Sequence, residues 1–253
     1  MMNNLGARHQ KFQDLHASGC FVIPNPWDIG SAKVMAANGA AALATTSAGF
    51  AFTLGRPDMG TISRDEALSH AQDLVAATPL PVTGDFENGF GDSPDEIAIT
   101  VTRAAEVGLS GCSMEDTRMI AGNAPYDFEL AVERIKAGAS AAKALAHPFV
   151  FCARADGIMN GHYDADEAIR RIQEFEAAGA DLLYVPIPAS FEDLARIVKS
   201  VTKPFNALAA GPYRKYSKQQ FADIGVRRIS IGSALSRVTH NQIVKATQMM
   251  CGE

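Results

Sequence analysis

Short apolar runs alternate with amphipathic segments along the whole chain, and this alternation restricts the fold more than any other feature. Each run has four to eight residues and is bounded by glycine, proline or polar residues, which is typical of a buried parallel strand. The eight runs are FVIPNPWD (21–28), ALATTS (42–47), PVTGDFE (81–87), GCSMED (111–116), FVFCARAD (149–156), DLLYVPI (181–187), KPFNALA (203–209) and RRISIGSA (227–234). Eight strand-and-helix units in 253 residues predict an α/β fold, the closed (β/α)8 or TIM barrel. A doubly wound sheet is the alternative, but it seldom has eight regular units.

Helical patterns fill the segments between these runs. SPDEIAITVTRAAEVG (93–108) begins with a Ser–Pro pair suited to a helix start and ends at a glycine. YDADEAIRRIQEFEAAG (163–179) has apolar residues at helical spacing and also ends at a glycine. Residues 1–19 are predicted to form an N-terminal capping helix. Because no linker interrupts the pattern, residues 1–253 are predicted to form a single domain.

Composition excludes several classes of partner. The net charge of −5 and the absence of basic clusters argue against nucleic acid. No uninterrupted run of 18 apolar residues predicts a membrane span, and the N-terminus does not resemble a signal peptide. The four cysteines are far apart and show no metal-binding spacing, which favours reduced, buried thiols. We therefore expect a cytoplasmic protein.

Polar side chains follow nearly every predicted strand at its C-terminal end, where the active sites of such barrels lie. They are Asn25 and Asp28, Thr45 to Gly49, Asp85 and Glu87, Glu115 and Asp116, Arg154 and Asp156, and Asn206. Strand alternation predicts that Asp85 and Glu87 share a face, next to Glu115 on the neighbouring strand. Buried acids at this range repel one another and need protons or a cation, and Mg²⁺ is the expected cation. The alternative is that these acids cap helices or pair with basic residues.

Five stretches of the chain, in order, resemble motifs of the isocitrate lyase/phosphoenolpyruvate mutase superfamily, in particular its phosphoenolpyruvate mutase-like subgroup. They are TTSAGFAFTLGRPDMG (45–60), GDFENGFGD (84–92), SMEDT (113–117), ARAD (153–156), and the seventh and eighth strands, KPFNALA and GVRRISIGSAL. The resemblance covers nearly the whole chain. It implies an (α/β)8 barrel, a small-molecule carboxylate substrate of the 2-oxo-acid or phosphonate class, and Mg²⁺ as cofactor, with Mn²⁺ as a substitute.

The resemblance also implies roles for individual residues. Asp85 would bind the metal directly, and the residues holding metal-bound waters would be Asp58, Glu87 and Glu115. Arg154 would bind the substrate carboxylate through its planar guanidinium. The other substrate-binding candidates are Ser47, Ala48, Gly49 and Asn206, together with Trp27, which is either a core residue or a roof over the substrate.

The segment after the fourth strand departs from the pattern of the lyase members. Those members carry a Lys-Lys/Arg-Cys-Gly motif whose cysteine transfers protons. MEDTRMIAGNAPYDFELAVERI (114–135) has neither that cysteine nor the lysines. The catalytic candidates in this segment are Arg118 and Asn123, and the alternative is a solvated lid without chemistry.

Three functions are compatible with these residues. The first is a Mg²⁺-dependent lyase or decarboxylase acting on a small 2-oxo or 2-hydroxy carboxylic acid through an enolate. The second is P–C bond chemistry, as in a phosphoenolpyruvate phosphonomutase or a phosphonopyruvate hydrolase. The third is a barrel that binds an oxo-acid without turnover. The acids and Arg154 argue against the third, and the lack of an evident second cationic residue places the first ahead of the second. The resemblance also predicts a homodimer or homotetramer in which the last helix, near 236–250, packs on or swaps with a neighbour.

Overall fold

The computed structural model describes residues 5–252 and shows eight parallel strands in one sheet. The strands are β1 (Phe21–Ile23), β2 (Leu43–Ala44), β3 (Val82–Asp85), β4 (Gly111–Glu115), β5 (Val150–Arg154), β6 (Leu182–Tyr184), β7 (Phe205–Leu208) and β8 (Arg228–Ser230). Each strand from β2 to β7 pairs with the next strand along the chain, and β8 also pairs with β1, so β1 and β2 are the two edges of the sheet. The edge strands β1 and β2 are joined by one backbone hydrogen bond, from the Ala44 N–H to the Pro24 carbonyl at 3.1 Å. The sheet is therefore a nearly closed barrel, which confirms the predicted (β/α)8 fold.

Helices connect the strands. They are α1 (Leu5–Leu15), α2 (Ile29–Ala37), α3 (Ser47–Thr53), α4 (Arg64–Ala77), α5 (Pro94–Glu106), α6 (Phe128–Lys143), α7 (Ala165–Ala177), α8 (Phe191–Lys199), α9 (Lys218–Asp223) and α10 (Ala234–Cys251), with a 3₁₀ turn at Gly211–Lys215. Side-chain caps fix several helix starts. Ser93 accepts from the Glu96 N–H ahead of α5, and Ser190 accepts from the Asp193 N–H ahead of α8. These caps satisfy backbone donors that the first helical turn leaves free.

Every observed strand is shorter than its predicted run, and for the first two strands the reason is visible in the sequence. The first ends at Ile23 because Pro24 and Pro26 carry no N–H to donate to a neighbouring strand. The second ends at Ala44 because Thr46 already caps α3. The loops that follow β1 and β2 therefore begin at Pro24 and Thr45, and their polar residues lie at the C-terminal edge of the barrel.

Helix α1 closes the N-terminal end of the barrel. Phe12 is fully buried and packs in one cluster with Phe21, Val150 and Cys152 of the strands. Only glycine fits at Gly111, because a Cβ there would lie 2.4 Å from the Val150 carbonyl and 3.1 Å from the Phe12 ring. The capping helix predicted over residues 1–19 is thus confirmed for residues 5–15; residues 16–19 form a turn, and residues 1–4 lie outside the described part of the chain.

Helix α10 differs from the other long helices because most of its surface is exposed. Ser236 is its one buried residue, while Val238, Ile243 and Met249 are 48%, 60% and 79% exposed. An apolar helix surface of this kind is available to a partner. No helix within residues 5–252 has the length and apolarity needed to cross a membrane.

Candidate active site

Asp85 ends β3 and is held from three sides. Its Oδ2 accepts hydrogen bonds from the Ser47 N–H and Oγ, at 3.0 and 3.1 Å. Its Oδ1 accepts from Arg154 Nη1 at 2.7 Å and from Ser113 Oγ at 3.4 Å. Its backbone N–H donates to Thr45 Oγ1 at 2.7 Å. The carboxylate therefore sits in a fixed orientation, with hydrogen-bond donors on both oxygens.

Arg154, at the end of β5, is the cation of this network. Its Nη2 lies 3.0 Å from Glu115 Oε2 and 2.6 Å from Asp156 Oδ2, and its Nε donates to Asp156 Oδ1 at 3.2 Å. Burial by itself lowers the pKa of Arg154, but the charges of Asp156, Glu115 and Asp85 outweigh it and raise the pKa well above the ordinary value. Arg154 is thus a permanent cation that is already bonded to three carboxylates.

A second network orients Asp156. The Asp156 N–H donates to Asp116 Oδ1 at 2.8 Å, and Asp116 Oδ2 accepts from Tyr163 at 2.8 Å and from Arg171 at 3.0 Å. Asp116 is buried and saturated by these contacts. It is a supporting residue that fixes the β5 end, and through Asp156 it fixes the guanidinium of Arg154.

The prediction that Glu87 shares a strand face with Asp85 is wrong. Strand β3 ends at Asp85, and Glu87 has a positive φ of 46° in the following turn. Its carboxylate accepts from the Gly60 N–H at 3.0 and 3.2 Å. Burial, followed by the negative charges of Asp58 and Asp85, raises the pKa of Glu87 to about 7 against the lowering effect of the Gly60 bond. Glu87 still belongs to the acidic cluster, but it reaches the cluster from a loop.

Two carboxylate oxygens of the cluster are buried without a partner among the described residues: Asp58 Oδ1 and Glu115 Oε1. Burial raises the pKa of Asp58, and the charge of Asp85 adds to this effect. Burial also raises the pKa of Glu115 well above its ordinary value, although Arg154 opposes the shift. An unpaired buried carboxylate oxygen is unfavourable and indicates a missing cation, water or proton.

The acidic cluster fits an oxygen-ligated divalent cation in its donor chemistry. Within residues 5–252, no three His, Cys, Asp or Glu side chains are placed to share one metal ion. Mg²⁺ does not require such a cage, because it is usually bound by one or two carboxylates and several waters. The two unpartnered oxygens and the raised pKa values favour a cation at the cluster. Both oxygens of Asp85 already accept hydrogen bonds, Oδ2 from Ser47 and Oδ1 from Arg154 and Ser113, so direct contact with a cation would displace at least one of these donors.

A cavity of about 220 Å³ opens at the C-terminal ends of the strands. The predicted site residues that line it are Ser47, Ala48, Asp58, Asp85, Arg154 and Asn206. Glu87 lines an adjacent cavity together with Met119 and Ile120. Glu115 is buried against Arg154. The cavity therefore joins the acids, the guanidinium and the start of α3 around one volume.

Two predicted substrate-binding residues lie outside this lining. The Gly49 N–H donates to Thr46 Oγ1 at 3.2 Å as part of the α3 cap. Trp27 is half-buried, and its carbonyl lies 3.0 Å from His70 Nε2. Asp28 is exposed and caps α2 by accepting from the Ser31 N–H at 2.6 Å. These three positions are explained by local backbone and packing contacts.

Arg118 and Asn123 lie on the loop after β4 and do not line the 220 Å³ cavity. Arg118 is exposed, and its N–H donates to the Ala124 carbonyl at 2.8 Å. Asn123 has a φ of 48° and its N–H donates to the Ile120 carbonyl at 3.0 Å. His162 Nε2 lies 2.6 Å from the Gly122 carbonyl and joins this loop to the one after β5. Any catalytic role for the two residues requires the loop to move.

Sequence reasoning missed two arginines that line the cavity, Arg228 and Arg237. Arg228 is the first residue of β8, and strand alternation places it on the same face as Ser230, inside the barrel. The alternation of residues in RRISIGS could have indicated that Arg228 faces inward, but two consecutive arginines are more typical of an exposed position. Arg237 lies in the first turn of α10, and only the closed barrel brings that turn to the cavity.

Comparison with known proteins identifies the family of the chain and confirms its fold. The family model described as phosphoenolpyruvate phosphomutase matches residues 12–251. A solved structure from Burkholderia cenocepacia J2315, provisionally described as a lyase/mutase, is 41% identical with a TM-score of 0.94, covering 98% of this chain and 89% of that chain. The 2,3-dimethylmalate lyase of Eubacterium barkeri is 30% identical over 188 residues, which are 71% of this chain and 63% of that enzyme.

A more distant structure shares the fold and was determined with a metal. It is a phosphonopyruvate hydrolase in complex with oxalate and Mg²⁺, 21% identical with a TM-score of 0.86, covering 97% of this chain and 88% of that chain. The family match over residues 12–251 confirms the resemblance seen in the motifs. This chain belongs to the phosphoenolpyruvate phosphomutase family, within the isocitrate lyase/phosphoenolpyruvate mutase superfamily.

Proposed function

We propose that this chain is a lyase that breaks a carbon–carbon bond beside the 2-oxo or 2-hydroxy group of a small carboxylic acid through an enolate, with Mg²⁺ as cofactor and Mn²⁺ as a substitute. The observation that carries the proposal is the acidic cluster around Arg154 at the edge of one 220 Å³ cavity. The lyase activity of the dimethylmalate-cleaving relative supports this reaction class.

The residues that would hold the cation are Asp85, Asp58, Glu87 and Glu115. A bound Mg²⁺ would stabilise negative charge on the enolate oxygen of the substrate. Ser47 keeps Asp85 oriented through two hydrogen bonds to Oδ2, and these bonds are independent of Arg154. Asp85 can therefore release the guanidinium and keep its position.

Arg154 is the residue that would bind and orient the substrate carboxylate. Asp156 contacts Nε and Nη2, which leaves Nη1 as the atom to exchange Asp85 for the substrate. The exchange retains a charge-assisted hydrogen bond at Nη1 and so preserves most of its energy. Because Asp156 is itself fixed by Asp116, the guanidinium enters the exchange already oriented.

The loop after β4 carries two candidates for stabilising the enolate. Arg118 and Asn123 carry hydrogen-bond donors, and both lie outside the cavity lining; because a guanidinium and an amide do not act as general acids, they would bind the enolate oxygen and not protonate it. Tyr163 and Asn160 contact Asp116 and Thr117 at the base of this loop. Movement of residues 118–125 about that fixed base would bring the donors toward the substrate.

P–C bond chemistry is the second candidate, and one observation favours it. A phosphoryl group requires cationic partners besides the arginine that binds the carboxylate. Arg228 and Arg237 line the same cavity as Arg154 and meet this requirement. The phosphonate alternative is therefore stronger than the sequence alone indicated.

The test is a turnover screen of 2-oxo-acids, substituted malates and phosphonopyruvate, with Mg²⁺ and after treatment with EDTA. We expect C–C cleavage of at least one acid with Mg²⁺, no cleavage after EDTA, and a loss of about 100-fold or more in Arg154→Gln. Arg170→Gln is the matched control, because Arg170 is an exposed arginine on α7. Turnover of phosphonopyruvate alone would establish the second candidate, and the absence of any turnover would leave a binding protein.

A further inference from the structure

The turn after β3 that carries Glu87 is in a strained conformation. Glu87 and Phe90 have φ values of 46° and 63°, in the left-handed region that residues with a side chain rarely adopt. Such a conformation persists only where the surrounding contacts hold it. On one side the turn is held by β4, because the Glu87 carbonyl accepts from the Glu115 N–H at 2.9 Å. The contacts on the other side, over residues 88–93, therefore decide where the Glu87 carboxylate lies.

Arg134, on α6, holds this other side of the turn. Its Nη2 donates to the Asn88 carbonyl, and its Nη1 donates to the Gly91 carbonyl at 2.7 Å, with a longer contact of 3.4 Å to the Ser93 carbonyl. Arg134 is 1% exposed, and its guanidinium lies over the Tyr126 ring, 4.0 Å from the centroid. Three backbone carbonyls of one turn thus share one buried guanidinium.

Packing alone does not explain a buried arginine at this position. Among residues 5–252, no carboxylate lies within ion-pair distance of Arg134. The other arginine at this turn differs, because Arg64 forms an ion pair with Glu96 and lies farther from the turn carbonyls, at 3.3 and 3.4 Å. A buried arginine without a counter-ion is unfavourable, and an apolar side chain would fill the space without this penalty. A guanidinium, however, offers several N–H donors in a fixed plane, as the turn carbonyls require.

We propose that Arg134 is a positioning residue that holds the Glu87 carboxylate in the acidic cluster, acting through the backbone of residues 88–93. The carboxylate reaches the Gly60 N–H, at 3.0 and 3.2 Å, while the turn keeps its left-handed residues. The inference rests on the proposed function, which places Glu87 among the residues that hold the cation. Loosening the turn should therefore weaken Mg²⁺ binding and leave Asp85, at the end of β3, in its position.

The first measurement follows hydrogen exchange of the Gly60 amide by NMR, in EDTA and without metal. Arg134→Lys keeps the charge and loses the planar fork, so we expect it to speed exchange at Gly60 by about tenfold or more. Exchange of the Ser47 amide, which donates to Asp85 in the same cluster, should change by less than about twofold. Glu87→Ala gives the rate of a Gly60 amide without its acceptor, and adding Arg134→Lys to it should change that rate by less than about twofold.

Arg134→Gln is measured in parallel, because it removes a buried charge that lacks a counter-ion and keeps an amide donor. It therefore provides a folded variant if the lysine variant does not fold. Lys136→Gln, at an exposed position on the same helix, is the control and should leave Gly60 exchange at the wild-type rate. Wild-type exchange at Gly60 in the folded Arg134 variants, or an equal increase at Gly60 and Ser47, would overturn the positioning role.

A Mg²⁺ titration of the same proteins by calorimetry separates this inference from the proposed function. We expect Arg134→Lys to weaken Mg²⁺ binding about tenfold, and by less than about twofold when Glu87→Ala is already present. Faster Gly60 exchange together with a wild type that binds no Mg²⁺ would keep Arg134 as the residue that positions Glu87 and overturn the proposed cation. A Mg²⁺ affinity that Arg134→Lys leaves unchanged would overturn the link from Arg134 to the cation and leave the proposed function standing.

Discussion

The two sides of the cavity carry opposite charge, and they differ in how that charge is balanced. On the β3–β5 side, Arg154 contacts Asp85, Glu115 and Asp156 at 2.7, 3.0 and 2.6 Å. On the β8–α10 side, the hydrogen bonds of Arg228 and Arg237 to other residues in the 5–252 range go only to neutral oxygen and sulfur atoms. The first side is an internally bonded network with excess negative charge. The second is a set of positive groups without internal partners, as expected where a ligand supplies the charge.

The comparison predicts that the bonded side is sensitive to the loss of its cation. Arg154→Met leaves the buried Glu115 and Asp156, and the partly buried Asp85, without their cation. We expect the free energy of unfolding in EDTA to fall by about 3–5 kcal/mol, measured by urea denaturation at neutral pH. Arg170→Met, which removes an exposed arginine, should change it by less than about 0.5 kcal/mol. An Arg154→Met variant as stable as wild type would contradict the claim that Arg154 balances the charge of the acids on the β3–β5 side.

Protonation of His16 reports on the unpaired charge of Arg228. The Nδ1–H of His16 donates to the Phe12 carbonyl at 2.8 Å. Burial, followed by the charge of Arg228, lowers the pKa of His16 to about 3. Below pH 6.5 the unfolded chain therefore binds a proton that the folded chain does not. The contribution of His16 to the free energy of unfolding is fully present above pH 6.5. It is lost as the pH falls toward 3, by up to about 1.4 kcal/mol per pH unit.

We expect His16→Asn to remove this dependence, measured by urea unfolding of both proteins at pH 6.5, 5.5 and 4.5. Arg228→Met should reduce it, because the nearby positive charge is gone. Contributions from other groups, including His9, whose pKa is also lowered, cancel in the difference between variants. Parallel stability curves for wild type and His16→Asn would contradict the assignment.

Loss of Arg228 should change stability much less than loss of Arg154. Arg228→Met removes the hydrogen bond to Asn206, but it also removes a buried charge that has no counter-ion. These effects oppose one another, so we expect a change within about 1 kcal/mol in the absence of ligand. The measurement is urea unfolding beside Arg154→Met. A loss of 3 kcal/mol or more would show that the two sides are balanced in the same way.

The smallest expected effect on folding lies outside the cavity. We propose that α10 packs against a second copy of the chain, in a homodimer or homotetramer, through the exposed surface that includes Ile243 and Met249. Ile243→Lys should change the monomer's own stability by less than about 0.5 kcal/mol and abolish association. Sedimentation at micromolar concentration compares it with Gln242→Lys, the neighbouring exposed position. A monomeric wild type would contradict the proposal.

The strands and helix starts were predictable because they depend on short-range chemistry. Apolar runs, Ser93 and the terminal glycines act within a few residues of the element that they define. The strand ends were less predictable, because strand alternation stops where a turn begins and the sequence does not mark that residue. At Glu87 the period-2 rule failed because the backbone turns to a positive φ directly after β3, and alternation applies only inside a strand.

The charge balance of the site was the part that sequence could not provide. Arg154 was identified as a carboxylate-binding residue, but its bonding to three acids depends on register across β3, β4 and β5. Arg228 and Arg237 were missed for the same reason. The first reaches the cavity only if it faces inward from β8, and the second only if the barrel closes.

The central claim is that the acidic cluster binds a divalent cation through Asp85. The direct measurement is a Mg²⁺ titration of melting temperature for EDTA-treated wild type, Asp85→Asn and the control Asp95→Asn, which alters an exposed acid in the first turn of α5. Saturating Mg²⁺ at about 100 times Kd should stabilise wild type and the control by about 2.7 kcal/mol, or roughly 5 to 10 °C. Asp85→Asn should show no such rise. A wild type that does not respond to Mg²⁺, or an Asp85→Asn variant that responds equally, would contradict the account.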